Sequence, residues 1–439
     1  MSPSNSTGRK SLFEQFLHSQ TSGSLVLIVA AVAALIWANS PWADLYYALN
    51  HSAVGVRFGK ELLYTLDFDH LVKDGLMTVF FFVVGLEIKR EILLGELSSV
   101  RKAALPVIAA LGGAVVPALF YFALNPEGAA SRGWGVPMAT DIAFALGLLA
   151  LFGSRVPIGL KVFLTALAIA DDMLAVLVIA GFYTEQINWI ALGFAAVFLG
   201  FIGLGTRMRV RQIWIYLLLM LGVWISIFAS GVHATTAGVL IALMVPMYSP
   251  KDPKEFVREL HEELKAWDGV EVTRESMVRS EEQRRAMLRV HTDALYALPP
   301  GLQFESTLHS FQAFIVLPLF ALFATGVTID AATFADFPSR VGLGIILGLV
   351  LGKQIGILLF SWLTVRFGAA ELPAGVSWLQ LWGASALAGI GFTMSIFVSE
   401  LAFIDEALIA EAKIAIFIAS FVAAVCGWLV LNKALPKKS

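Results

Sequence analysis

Apolar runs of about 20 residues, long enough to cross a bilayer, recur along the whole chain with short polar segments between them. They fall at roughly 23–39, 71–88, 103–124, 134–153, 157–183, 187–206, 212–230, 233–248, 308–327, 341–365, 378–403 and 408–431, twelve in all. A polar stretch precedes the first run and many further runs follow it, which predicts an uncleaved helix instead of a leader removed on export. Two connections stand out. Within residues 40–70, Val54-Gly55-Val56-Arg57-Phe58 alternates as a short hairpin strand would. Residues 249–303 are charged, and Phe256, Leu260 and Leu264 recur at helical spacing, predicting a solvated helix. His261-Glu262 lacks the second histidine of a zinc-protease motif, so no metal is assigned there.

The chain therefore divides into a cytoplasmic tail (1–22), spans 1–8 (23–248), a charged cytoplasmic insertion (249–303), spans 9–12 (304–431) and a cytoplasmic tail (432–439). Composition agrees: 58% of the 439 residues are hydrophobic and only 15% charged, against about 25% charged in soluble proteins. A net charge of −2 leaves no basic surface for nucleic acid. The single cysteine, Cys426, cannot form an internal disulfide and reads as a buried structural thiol.

Orientation follows from the loop lysines and arginines. One side receives Arg9, Lys10, Lys89, Arg90, Arg101, Lys102, Arg155, Lys161, Arg207, Arg209, Arg211, Arg366, Lys433, Lys437 and Lys438, fifteen in all, and nine more from 249–303. The other side receives six: Arg57, Lys60, Lys73, Arg132, Arg340 and Lys413. Both termini are expected in the cytoplasm.

Four ionisable residues stand out within the spans: Asp141, Asp171, Asp172 and Lys353. Unpartnered, they would together cost about 10–14 kcal/mol to insert, so they must face one another or water. A buried ion pair is the ordinary structural explanation and accounts for Lys353 with one aspartate. It leaves two acids over, and surplus buried carboxylates call for protons or a metal cation. Neighbouring residues on a helix point about 100° apart, so Asp171 and Asp172 have different jobs, one toward Lys353 and one toward a hydrated funnel. Thr140, beside Asp141, offers the hard oxygen ligands that a small cation such as Na⁺ prefers.

Backbone breaks coincide with these charges. Span 4 opens Gly133-Trp134-Gly135-Val136-Pro137 just before Thr140-Asp141, and span 11 contains Gly389-Ile390-Gly391. Paired interrupted helices in two halves of a chain point to a transporter site. The expected fold is an all-α membrane protein of twelve transmembrane helices, with inverted-topology repeats (spans 3–5 and 10–12) and two interrupted, crossing helices in spans 4 and 11.

Several long motifs resemble the bacterial NhaA family of sodium/proton antiporters. They are Phe82-Val83-Val84-Gly85-Leu86-Glu87-Ile88-Lys89-Arg90-Glu91, Ala139-Thr140-Asp141-Ile142-Ala143-Phe144-Ala145-Leu146-Gly147, Ala168-Ile169-Ala170-Asp171-Asp172, Ser230-Gly231-Val232-His233-Ala234-Thr235 and Gly389-Ile390-Gly391-Phe392-Thr393-Met394-Ser395-Ile396-Phe397. Inverted repeats are a known property of that family. The resemblance implies an electrogenic inner-membrane antiporter, without a cofactor, that exports Na⁺ or Li⁺ and imports more protons than it exports sodium ions. It implies that Asp171 and Asp172 carry ion and protons, that Lys353 pairs with Asp171, and that Asp141 and Thr140 support the site. It further implies a homodimer contact through the 40–70 loop and a pH-regulating cluster of Glu87, Arg90, Glu91, Glu305 and His309. Without the resemblance that cluster reads as solvated interfacial charge, and His233 as a structural histidine. Departures from the family pattern are Ser306 for a histidine, Leu174 for a glycine, Gln354 for a proline, and the 249–303 insertion.

Two other classes compete. A proton-coupled carrier of an organic substrate would use the same carboxylates as relays, but would want a roomier, aromatic-lined centre. An intramembrane enzyme finds little support: Ala175 occupies the position where a second acid would complete a prenyltransferase motif, and no nucleophile-elbow or two-histidine zinc motif lies in the spans.

Overall fold

The computed structural model describes residues 20–58, 61–68, 71–184, 186–208, 210, 212–249, 251–265, 278, 280–329 and 338–436. Arg9, Lys10, Lys60, Arg209, Arg211, Lys437 and Lys438, used above for orientation, lie outside these residues.

Among the described residues the chain is helical apart from one hairpin. It begins with α1 (Gln20–Ala38), α2 (Ala43–Asn50) and the antiparallel strands β1 (Ala53–Phe58) and β2 (Glu61–Asp67). The alternation at 54–58 thus forms the expected strand, paired from Ala53 opposite Asp67 to Phe58 opposite Glu61 with a register shift between Val56 and Arg57. A π-helical turn (Leu71–Leu76) leads into α3 (Met77–Leu94), followed by α4 (Val100–Leu124). A 3-10 helix (Ala129–Met138) and α5 (Ile142–Ala150) form one interrupted element, and α6 (Ile158–Phe182) follows. Next come α7 (Trp189–Arg207), α8 (Ile213–Ala229) and α9 (Thr235–Met244), then α10 (Pro253–Lys265) and α11 (Glu281–Ala297) of the charged insertion. The rest comprises α12 (Pro300–Phe311), α13 (Leu317–Ala324), α14 (Arg340–Leu347), α15 (Lys353–Arg366), α16 (Trp378–Ala388), α17 (Phe392–Ala402) and α18 (Glu406–Ala434).

Seven of these segments are long and apolar enough to cross a membrane, and nine if the bent pairs α1–α2 (112°) and α16–α17 (47°) are each one span. This is a multi-pass membrane protein. Helices α3, α8 and α9 also lie where spans were predicted, but they are shorter or carry charge at one end. Helix α12 starts at Pro300, ahead of the predicted 308. Proline suits a first helical position, and polar Gln303, Glu305 and Ser306 hide the start from a hydropathy reading.

Two bundles emerge from the packing. In one, α4 lies along both α6 and α15, α14 and α16 lie on α18, and α17 packs on the 3-10 helix. In the other, α3 packs on α9 and α12, and α13 on α1. The order long helix, broken helix, long helix occurs twice in the first bundle: α4, 3-10/α5, α6, and α14–α15, α16/α17, α18. Within it α4 and α15 touch backbone to backbone, because a Cβ on Gly356 would sit 2.1 Å from the Gly112 carbonyl oxygen. Small residues permit such approach where no hydrophobic force between helices exists in lipid.

Candidate functional site

The two breaks meet at the centre of the first bundle. Pro137 has no N–H to continue a helix, and the chain runs extended at Ala139 before α5 begins at Ile142. Opposite it, Gly389-Ile390-Gly391 separates α16 from α17, and a Cβ on Gly389 would lie 2.5 Å from the Leu349 carbonyl oxygen. Each break satisfies the other's free backbone groups. The Asp141 N–H donates to the Ile390 carbonyl (2.7 Å), and the Thr140 hydroxyl to the Ala388 carbonyl (2.7 Å).

Asp141 is the N-cap of α5: its Oδ1 accepts from the Phe144 N–H at 3.1 Å. Its Oδ2 accepts from the Thr393 hydroxyl (2.5 Å) and the Thr393 N–H (3.2 Å) at the start of α17. A carboxylate at two helix N-termini is electrostatically well placed, so neutral donors hold this acid without a lysine.

Helix α6 carries Asp171 and Asp172 into the same centre, and α15 brings Lys353 immediately after a π-helical turn, Gly348–Gly352, of the kind that often marks functional positions. Lys353 Nζ donates to both Asp171 oxygens at 2.7 and 2.9 Å, and to the Met138 carbonyl freed by the first break. All of these groups are buried: Thr140, Asp141, Asp171 and Asp172 are 2% exposed and Lys353 1%. Asp172 differs from its neighbours, since its Oδ2 has no hydrogen-bond partner among the described residues. An unpaired buried carboxylate oxygen is costly and marks the position where a proton or cation would be most strongly held.

A cavity of about 530 Å³ lies between the bundles and ends within a helical turn of this centre, whose own residues Asp141, Asp171, Asp172 and Lys353 do not line it. Ile142 and Ala143, just past Asp141, and Ile169, one turn before Asp172, line it. Glu87 and Arg90 from α3 with Glu305 and His309 from α12 line it as well. Arg90 bonds Glu305 and, at 3.2 Å, Glu91, and His309 Nδ1 is 3.9 Å from Glu87 Oε1. The five cluster residues expected from the resemblance are therefore neighbours, and Ser306 also lines the cavity.

The fold also holds a charge cluster absent from the sequence reading. Glu400 Oε1 of α17 forms ion pairs with Lys73 Nζ at 2.8 Å and with Lys413 Nζ of α18 at 3.0 Å. Assigning Lys413 to an outer loop needs correction: it is 7% exposed, inside α18. The signal in the sequence was weak: Glu400 and Lys413 both fall inside predicted spans, but near their ends and not at the centre, where Lys353 lies.

Residues 14–431 match the family described as Na⁺/H⁺ antiporter 1. The chain belongs to that family. It is 45% identical to the Na(+)/H(+) antiporter NhaA of Oleidesulfovibrio alaskensis over 96% of this chain and 94% of that protein. It is 46% identical to the antiporter of the same name from Acidithiobacillus ferrooxidans, over 97% and 98% of the two chains. A third relative, Na(+)/H(+) antiporter NhaA 1 of Saccharophagus degradans, is 43% identical over 97% and 92%. The family consists of transporters, and this member of it is no enzyme.

Proposed function

We propose that the protein is an electrogenic antiporter of the bacterial inner membrane, moving Na⁺ or Li⁺ outward against inward protons. All twelve apolar segments cross the bilayer, the broken elements cross at mid-membrane as parts of inverted repeats, and the cavity faces the cytoplasm. The single observation that carries this reading is the unpartnered Asp172 Oδ2 beside the Asp171–Lys353 pair. Asp171 and Asp172 bind protons or the cation, never both. Sodium entering the cavity displaces protons from the two carboxylates; after the site turns outward, protons displace sodium. Releasing more protons than sodium ions bound makes each cycle move charge.

Among the described residues no three of His, Cys, Asp and Glu are grouped to hold a metal. The transported ion is held by Asp171 and Asp172 with hydroxyl or carbonyl oxygens such as those of Thr140 and is released each cycle. Aliphatic Ala168, Ile169 and Ala170 precede the carboxylates on α6, which favours a small cation over an organic solute as their ligand. The Glu87, Arg90, Glu91, Glu305 and His309 cluster regulates exchange with pH from the cavity. The β1–β2 hairpin is the contact of a homodimer.

Dequenching of a pH-gradient dye in inverted vesicles decides the matter, with Na⁺, Li⁺ and K⁺ added in turn at several pH values. Dequenching by Na⁺ and Li⁺ is expected. Proton movement indifferent to all three cations would refute the reading.

A further inference from the structure

The cavity between the two bundles is lined on α3 by Val84, Glu87 and Arg90, and none of Lys73, Met77 and Phe81 at the other end lines it. Below the cavity, Phe81 of α3 and Phe320 of α13 pack on Phe397 of α17, with ring centroids 5.8 and 6.1 Å from it, and all three rings are buried. One turn past Phe397 comes Glu400, and Lys73 lies two turns before Phe81. Lys73 is separated from Glu87 by about 20 Å of helix. The Lys73–Glu400 contact at 2.8 Å thus joins the bundles at the end away from the cavity.

We propose that Lys73 and Glu400 form a gate that shuts this end of the interface, parting whenever the carboxylate site is exposed there. This rests on the antiport reading and adds to it the groups that hold the second entrance closed. Exposure on that side requires α3 and α17 to separate, since the aromatic rings and the ion pair occupy the space between them. The third member of the cluster makes parting reversible. Breaking a buried ion pair is costly chiefly because it strands a charge. Lys413, on the same bundle as Glu400, accompanies it and stays within 3.0 Å of the same oxygen. Lys73, 18% exposed on a terminal turn, can turn to water.

The test uses the full chain with Cys426→Ser, so that Met77→Cys supplies one thiol. Met77 is fully buried, one turn from both Lys73 and Phe81, and belongs neither to the carboxylate site nor to the gate. A membrane-impermeant thiol reagent is applied to intact cells, and sodium-dependent exchange is measured in inverted vesicles. Adding Lys73→Gln is expected to speed labelling about tenfold and to raise the apparent KM for Na⁺ from the cavity side at least about threefold, because the inward-open population falls. Lys73→Arg should restore both. Labelling unchanged by Lys73→Gln in a folded protein would overturn the gate. So would failure of both Lys73→Gln and Lys73→Met to fold, since the pair would then be purely structural. A parent that labels as expected yet exchanges no sodium would refute the antiport reading and leave the closure by Lys73 standing.

Discussion

Lys353 holds both oxygens of Asp171, at 2.7 and 2.9 Å, while Asp172, next to Asp171 on α6, keeps one oxygen without a hydrogen-bond partner among the described residues. Two adjacent acids thus stand in opposite electrostatic circumstances, and substitutions at the two should separate binding from stability.

Asp172→Asn is expected to abolish sodium/proton exchange without lowering the melting temperature. The unpartnered oxygen makes no hydrogen bond that the amide would lose, and the change removes a buried charge. Vesicle exchange and thermal melting of the purified protein check this together. Normal exchange by the variant would refute the assignment.

Lys353→Ala should destabilise far more than Thr140→Ala. The first leaves the Asp171 carboxylate and the Met138 carbonyl unpaired in the interior, about 3–5 kcal/mol for a broken buried pair. The second removes one neutral hydrogen bond to the Ala388 carbonyl, about 0.5–1.5 kcal/mol. Equal melting temperatures would remove the argument that the lysine is there to balance a buried acid.

Thr393 is the clasp between the two broken elements, because its hydroxyl and N–H both donate to Asp141. Thr393→Val should cost about 1.5–3 kcal/mol, the value of a hydrogen bond to a charged group, and weaken sodium-driven exchange by loosening the junction. Thr393→Ser, which keeps the hydroxyl, should melt within about 1 kcal/mol of the parent. A valine variant as stable as the serine one would show that the bond to Asp141 contributes nothing.

Much of this centre is legible in the sequence because lipid makes charge conspicuous: Asp141, Asp171, Asp172 and Lys353 interrupt apolar runs, and Pro137 and Gly389-Ile390-Gly391 announce the breaks beside them. Which acid the lysine takes is not legible from the residues themselves, since a 100° turn between Asp171 and Asp172 fixes only that they differ. Glu400 and Lys413 escaped because they lie near span ends, where a charge also passes for interfacial; only tertiary packing shows that they are buried together. The start of α12 escaped for the converse reason. Gln303, Glu305 and Ser306 look like loop, yet Glu305 is buried and lines the cavity between the bundles.

Glycines divide sharply by what stands opposite them. At Gly356 an added methyl would meet the Gly112 carbonyl oxygen at 2.1 Å, a backbone atom that can move only if α4 and α15 separate. Since α15 delivers Lys353 and α4 lies along α6, the strain would reach the carboxylates. Gly356→Ala should therefore destabilise by about 1–3 kcal/mol, as overpacking does, and reduce exchange as well. Gly181, inside α6 with open space within 4 Å of where a methyl would stand, is the matched control. Gly181→Ala should be neutral or stabilise by up to about 1 kcal/mol through helix propensity. Melting curves and vesicle exchange for the two variants side by side check this, and a Gly356→Ala protein that melts and exchanges like the control would show that the close helix contact does not position the site.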